Sequence, residues 1–140
     1  MISLKEERLK RGLTVNRVAK EVGYSHEAVS NIEERGFLKK LYTPIARDLC
    51  DYYNLDYYEY LKENMPIETF GERMKFVRYL TVRSLNTFEK PSFSTVFSEA
   101  ERGVTFPGAD KIIYFAKETG VNLNWLLLGE GHIFRGGSRR

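Results

Sequence analysis

Residues 13–36 read LTVNRVAKEVGYSHEAVSNIEERG, and this stretch decides the fold because a glycine divides it into two short helical patterns. Thr14 is a side chain suited to cap a helix, and apolar residues follow it at helical spacing, at positions 15, 18, 19 and 22. Gly23 ends this pattern, and Ser25 can cap the next one. The sequence therefore predicts two helices joined by a very short turn.

A short break of this kind is typical of a helix-turn-helix, in which the first helix supports the second. The N-terminal turn of the second helix then enters the DNA major groove. Val29 and Ile32 should face inward and anchor this helix. The side chains expected on its outward face are Ser25, His26, Glu27 and Asn31.

Helix-start signals recur on both sides of this stretch. Ser3 with Glu6 has the spacing of a capping box, Thr43 precedes a first-turn proline, and Asp56 with Glu59 forms a second capping box. The predicted helices of the first sixty residues cover 4–11, 15–22, 26–34, 44–53 and 57–63. The polar segment ENMPIET that follows, with its proline, predicts a linker at 63–69.

The chain contains an internal duplication. Residues 80–103 align without gaps on residues 13–36, an offset of 67 (80 minus 13), with eight identities in 24 positions, including LTV and ERG at the ends. The second copy continues with a helical segment whose residues Ile112, Ile113, Phe115 and Ala116 should lie largely inward. Ten short helices in two bundles are expected.

The second copy departs from the first at its turn. In the gap-free alignment Lys90 replaces the turn glycine, and Pro91 follows it, which disfavours a helical conformation at residue 90. Phe93 and Phe97 fall on His26 and Ser30, and burial in the bundle or in a protein interface is preferred over contact with thymine methyls. MKFVR resembles LKEER but lies three residues closer to its LT pair, so the register of residues 74–92 stays open.

Residues 13–36 resemble the Xre/Cro-type helix-turn-helix of phage repressors and bacterial regulators. The shared features are leucine with a capping hydroxyl, alanine five residues after the cap, the turn glycine, the capping serine and an Ile-Glu ending near glycine. The segment GVNLNWLLLGEG at 120–131 resembles the closing helix of that family. The resemblance, which covers nearly residues 3–131, implies an all-α chain of two tandem five-helix lambda-repressor-like domains. The expected domains are 1–62 and 70–131, with 132–140 as a flexible basic tail.

The resemblance also implies which residues touch DNA. The base-contacting positions are Ser25, His26, Glu27 and Asn31, and the phosphate-contacting positions are Thr14, Asn16, Arg17, Arg35, Lys39 and Lys40. In the second domain the candidate DNA contacts are Arg83, Ser92, Ser94, Thr95 and Ser98. Asn31 can pair with adenine, His26 can donate to guanine, and Glu27 can accept from cytosine. The alternative for each is an ordinary solvated side chain.

Composition narrows the class of protein. The net charge of +3 permits a nucleic-acid partner without requiring one, and no apolar run is long enough for a membrane span. Cys50 is the only cysteine, so an internal disulfide is excluded, and two histidines give little basis for a zinc site. There is no phosphate-binding glycine loop. We therefore expect a cytoplasmic non-enzyme without cofactor or metal.

The function predicted from the sequence is that of a sequence-specific transcription regulator that binds a double-stranded DNA operator. It would bind as a homodimer, or one chain would imitate a dimer through its two domains. The alternative is a protein-interaction or antitoxin-like module that uses degenerate helix-turn-helix domains, with the second domain holding a protein partner. The acidic residues Glu27, Glu33 and Glu34 near the reading helix favour this alternative slightly.

Overall fold

The computed structural model describes residues 2–35, 43–83, 85, 88 and 91–137, and these residues form nine α-helices. The chain divides into two compact units, Met1–Asn64 (unit 1) and Met65–Arg140 (unit 2). Unit 1 contains α1 (Leu4–Lys10), α2 (Val15–Val22), α3 (His26–Arg35), α4 (Thr43–Tyr52) and α5 (Tyr57–Asn64). Unit 2 contains α6 (Phe70–Leu80), α7 (Pro91–Glu101), α8 (Ala109–Thr119), α9 (Leu123–Leu128) and a short 3₁₀ segment, Arg135–Gly137. The all-α prediction is confirmed.

The helix starts follow the capping residues of the sequence. The Ser3 hydroxyl accepts from the backbone N–H of Glu6, and the Thr14 hydroxyl accepts from that of Arg17. Thr69 and Glu72 form a complete capping box at the start of α6. These bonds satisfy donors that the first turn of a helix leaves without an intrahelical partner.

The core of unit 1 lies between α2, α3, α4 and α5. Val18, Val29, Leu49 and Leu61 have no measurable exposure, and Tyr53, Tyr57 and Tyr60 are buried beside them. Five tyrosines lie between residues 52 and 60, and these three are core residues. Tyr52 and Tyr58 are partly exposed.

The core of unit 2 is built from aromatic rings. Phe88, Phe97 and Phe115 contact one another with ring centroids 4.8–5.7 Å apart, and Phe93 lies 5.7 Å from Phe97. Phe93 and Phe97 are buried, which confirms the preferred interpretation of both. In α8 the inward prediction holds for Ile112, Phe115 and Ala116. It is wrong for Ile113, which is 46% exposed.

A buried ion pair in each unit shows how the two copies correspond. Arg8 Nε lies 2.8 Å from Glu33 in unit 1, and Arg78 Nε lies 2.7 Å from Glu101 in unit 2. These pairs align α1 with α6 at an offset of 70 residues (78 minus 8). They align α3 with α7 at an offset of 68 residues (101 minus 33). Glu33 lies 25 residues after Arg8, whereas Glu101 lies 23 residues after Arg78. The second copy is therefore two residues shorter in this segment, and the gap-free offset of 67 is wrong.

The corrected register explains the segment after α6. Val82 has a left-handed φ of 55°, as Gly12 has after α1 (66°). In each case the backbone N–H donates to the carbonyl three residues earlier, that of Tyr79 and that of Leu9. Residues 80–82 are thus the end of a first helix and not a copy of Leu13, Thr14 and Val15. The described part of 81–90 contains no α-helix that corresponds to α2, so nine helices are found where ten were predicted.

The end of the chain also differs from its prediction. Phe134 is buried and forms an isolated antiparallel bridge with Val121, and the N–H of Arg135 donates to the carbonyl of Gly120. The expectation of a flexible tail over 132–140 is therefore wrong for residues up to Arg135. Burial of the phenylalanine ring attaches this segment to unit 2.

Candidate DNA interface

The turn between α2 and α3 has the geometry that its glycine predicts. Gly23 has a φ of +82°, which a residue without a Cβ adopts at no steric cost. The N–H groups of Gly23 and Tyr24 both donate to the carbonyl of Ala19, at 3.0 Å. The Ser25 hydroxyl then accepts from the N–H of Ala28 at 3.1 Å and starts α3. Only three residues, 23–25, therefore separate the end of α2 from the start of α3.

The outward face of α3 carries the predicted reading residues. Ser25, His26, Glu27 and Asn31 are all exposed. On the opposite face Val29 is fully buried, and Ile32 is 6% exposed. The structure thus brings the four candidates together on one accessible surface, while two apolar side chains hold the helix against the bundle.

Polar contacts also fix the position of α3. Glu33 accepts two hydrogen bonds from Arg8, and this hydrogen bonding raises the pKa of the Arg8 guanidinium above its usual value. Tyr24, in the turn, donates to Asp48 of α4 at 2.6 Å, and this bond raises the pKa of the Tyr24 hydroxyl. The turn and the recognition helix are therefore attached to different parts of the bundle.

The predicted phosphate-contacting residues of α2 and its cap are exposed polar side chains. Thr14, Asn16 and Arg17 are exposed, and the hydroxyl oxygen of Thr14 is used as the helix cap. Lys20, one turn beyond Asn16, is exposed as well and was missed as a candidate. Lys20 could have been predicted from its spacing of four residues from Asn16, because residues at i and i+4 share a helix face.

A carboxylate interrupts this basic surface. Glu21 accepts from Arg17 Nε at 3.3 Å and, through its other oxygen, from the hydroxyl of Tyr52. The Tyr52 hydrogen bond is the main reason that the pKa of Glu21 is lowered. Arg17 therefore has an internal counter-ion, even though 67% of its side chain is exposed.

The second domain presents a different surface. At the corrected offset of 68, Phe93 replaces Ser25, and Glu99 replaces Asn31 (31 plus 68). Thr95 is exposed, and Ser94 and Ser98 are partly exposed on α7. The structure thus brings these three candidates onto one helix, with the Glu99 carboxylate at the position of the Asn31 amide.

Some candidates are engaged elsewhere or are not described. The Arg83 guanidinium donates to the carbonyl of Glu118 at 2.9 Å, at the end of α8. Lys39 and Lys40 lie outside the described residues, as do the side chains of Arg35 and Ser92.

The described residues also limit other chemistry. Cys50 is buried, and burial raises the pKa of its thiol to about 12, so the thiolate is rare at neutral pH. Within the described ranges, no group of three or more potential ligands from His, Cys, Asp and Glu could hold a metal ion. None of the helices that the structure describes is long and apolar enough to span a membrane.

Two parts of the chain match known protein families. Residues 4–41 match the family described as helix-turn-helix, and residues 92–134 match the bacteriophage CI repressor helix-turn-helix domain. The first match contains α1, α2 and α3. The second begins in α7 and ends at Phe134, the buried residue beyond α9. No curated protein and no solved structure matches the chain.

Proposed function

Since the chain carries two tandem phage-repressor-like helix-turn-helix domains, we propose that it is a sequence-specific transcription regulator that inserts α3 of its first domain into the DNA major groove. The family matches support a DNA-binding regulator of the repressor or Xre kind. Families of this kind are typically non-enzymatic. Binding to a DNA operator would place the protein with the nucleoid.

The observation that carries this proposal is the division of α3 into two faces. Val29 and Ile32 are buried, while His26 and Glu27 at the start of the helix and Asn31 in its middle are exposed. Their side chains supply the donors and acceptors that distinguish base pairs in the major groove. Asn31 is the strongest reader among them, because its amide can bond adenine at two points.

Phosphate contacts would come from exposed side chains of α2. Arg17 and Lys20 are exposed cations, and Asn16 can donate a neutral hydrogen bond beside them. Contacts of this type fix the orientation of the protein on the duplex and make binding sensitive to salt. They carry no sequence information themselves.

Unit 2 is proposed to be the weaker reader. Glu99 stands at the register position of Asn31, and a carboxylate there repels phosphate and can accept but not donate a hydrogen bond, so it lacks the two-point pairing of an amide with adenine. Arg83 is engaged with the end of α8. The contribution of unit 2 to affinity should therefore be smaller than that of unit 1.

A second candidate role, binding of a protein partner, rests on apolar side chains of unit 2. Phe106 is 65% exposed and Val104 is 59% exposed, and both follow α7 directly. Exposed aromatic and aliphatic side chains are common where protein interfaces form. This role is compatible with DNA reading by unit 1.

Selection of bound sequences from random duplex DNA tests the proposal. The full chain should enrich a consensus, and Asn31→Ala should relax one of its positions, whereas Glu34→Ala, an exposed control in the same helix, should not. A palindromic consensus would mean reading by a dimer. Two unlike half-sites about 34 Å apart would mean that one chain reads both. Absence of enrichment at low salt would overturn the proposal.

A further inference from the structure

Glu21 occupies a position that opposes the charge of the proposed phosphate-binding surface. It lies one helical turn after Arg17, and its Oε1 accepts from Arg17 Nε at 3.3 Å. Asn16, Arg17, Lys20 and Glu21 together line a shallow open depression on α2. One of the two cations there is therefore already paired within the protein.

Tyr52 holds Glu21 in this position. The hydroxyl of Tyr52, the last residue of α4, donates to Oε2 of Glu21, which leaves Oε1 directed at Arg17. Because Tyr52 belongs to a different helix, its hydrogen bond restricts the side-chain rotamers of Glu21. Glu21 thus has a hydrogen-bond partner on α4 as well as one on α2.

On the premise of the DNA-binding function above, we propose that Glu21 is a positioning residue that competes with DNA phosphate for Arg17 and so limits the affinity for duplex DNA. Glu21 is 39% exposed and Arg17 is 67% exposed, so phosphate can reach the guanidinium. The bond has to exchange when DNA arrives.

The strength of the Arg17–Glu21 pair is suited to such an exchange. Solvent-exposed ion pairs are weak, and a pair four residues apart is weaker when the cation precedes the anion along the helix. A hydrogen-bonded arginine–phosphate contact is stronger, because both partners are charged and the geometry allows two bonds. Phosphate therefore displaces Glu21. The free-energy cost of this displacement lowers the affinity for duplex DNA of any sequence.

The test compares Glu21→Gln with Glu6→Gln in the full chain. Both variants raise the net charge by one, but Glu6 is an exposed residue of α1 outside the proposed interface. The probe is the duplex enriched in the selection above, labelled for fluorescence anisotropy, at several salt concentrations between about 50 and 200 mM. Each variant is also combined with Arg17→Ala, and circular dichroism checks that every variant remains folded.

We expect Glu21→Gln to tighten binding about fivefold at low salt, because phosphate then no longer has to displace an exposed ion pair from Arg17. The slope of log affinity against log salt should steepen by up to about 0.9, the value for one additional neutralised phosphate. Glu6→Gln should change affinity less than about twofold. In the Arg17→Ala background, Glu21→Gln should have no more effect than Glu6→Gln.

The inference is overturned if Glu21→Gln and Glu6→Gln act equally in the otherwise wild-type chain. It is also overturned if the effect of Glu21→Gln survives Arg17→Ala, because the carboxylate would then act by general charge alone. Both of these results leave the DNA-binding proposal intact. Failure of the wild-type chain to bind any duplex overturns the DNA-binding proposal and this inference together.

Discussion

Arg78 and Glu101 form a two-point hydrogen-bonded pair, with Nε to Oε2 at 2.7 Å and Nη2 to Oε1 at 2.9 Å. Arg8 and Glu33 repeat this arrangement in the first domain, at 2.8 and 3.0 Å. In each copy the remaining Nη1 donates to the backbone carbonyl five residues further along the chain. Each unit therefore joins its first helix to its recognition helix by the same buried charge pair.

Removing one partner of this pair should destabilise unit 1 strongly. Arg8→Ala leaves the Glu33 carboxylate buried without its cation, and we expect a loss of about 3–5 kcal/mol in the free energy of unfolding, measured by urea denaturation. The double variant Arg8→Met with Glu33→Leu should recover most of this loss, because no charge is then buried. Lys10→Ala, which breaks the exposed pair with Glu7, is the control and should cost at most about 1 kcal/mol. Equal losses for Arg8→Ala and Lys10→Ala would contradict this account.

Val82 should be under backbone strain. Its φ of 55° lies in the left-handed region, which costs a residue with a Cβ about 1–2 kcal/mol. Val82→Gly should therefore raise the free energy of unfolding of unit 2 by up to about 1 kcal/mol. Gly12→Val, the same exchange reversed in unit 1, should lower stability by at least about 1 kcal/mol, although nothing lies within 4 Å of the added Cβ. Thermal denaturation gives the sign of each change, and destabilisation by Val82→Gly would refute the strain.

Gly71 is required by close packing of α6 against α7. A Cβ at this position would lie 2.3 Å from the carbonyl oxygen of Ala100 and 2.9 Å from that of Glu101. Since both neighbours are backbone atoms, Gly71→Ala should force the helices apart and cost about 2 kcal/mol or more. Gly108→Ala is the matched control, because its added Cβ meets only the mobile carboxylate of Asp110. Chemical denaturation that finds the two variants equally stable would exclude the close contact.

Stability should fall at alkaline pH through Cys50. Burial raises the pKa of this thiol from 9.0 to about 12, so between these values the unfolded chain releases a proton that the folded chain retains. A raised pKa gives stability that is fully present below pH 9 and is lost as the pH rises toward 12. The free energy of unfolding should decrease by up to about 1.4 kcal/mol per pH unit above pH 9.

The measurement is a series of urea denaturations between about pH 8 and pH 10. Burial also raises the pKa of Tyr53 and Tyr60, and these hydroxyls add equally to the alkaline loss of the wild type and of the Cys50 variant. Cys50→Ala should lower stability at all pH values but flatten the dependence. If the free energy of unfolding falls equally with pH in the wild type and in Cys50→Ala, another group causes the alkaline loss.

Much of unit 1 was predictable because its signals are local. Thr14, Gly23 and Ser25 act on backbone groups within four residues of themselves, and their caps and turn appear in the structure at the predicted places. Val29 and Ile32 are buried, as the helical period requires. The exposure of His26, Glu27 and Asn31 followed from the same period.

The register of the second copy was not predictable in this way. LTV at 80–82 is identical to LTV at 13–15, yet Val82 takes the place of Gly12. An alignment based on residue identity contains no information on backbone conformation. It therefore could not show that Val82 ends a helix with the positive φ that is typical of glycine. The Arg78–Glu101 pair, which spans 23 residues, decides the correspondence.

The candidate interface divides in the same manner. Residue types and spacing were enough to find two helix-turn-helix copies, the outward face of α3 and the burial of Phe93 and Phe97. The pairing of Arg17 with Glu21, the support of Glu21 by Tyr52 and the diversion of Arg83 to Glu118 depend on helices that meet only after folding. A helical period specifies which face a residue occupies, because it depends on the backbone of that helix alone. Which charged group lies opposite that face depends on how distant segments pack, and no local pattern contains that information.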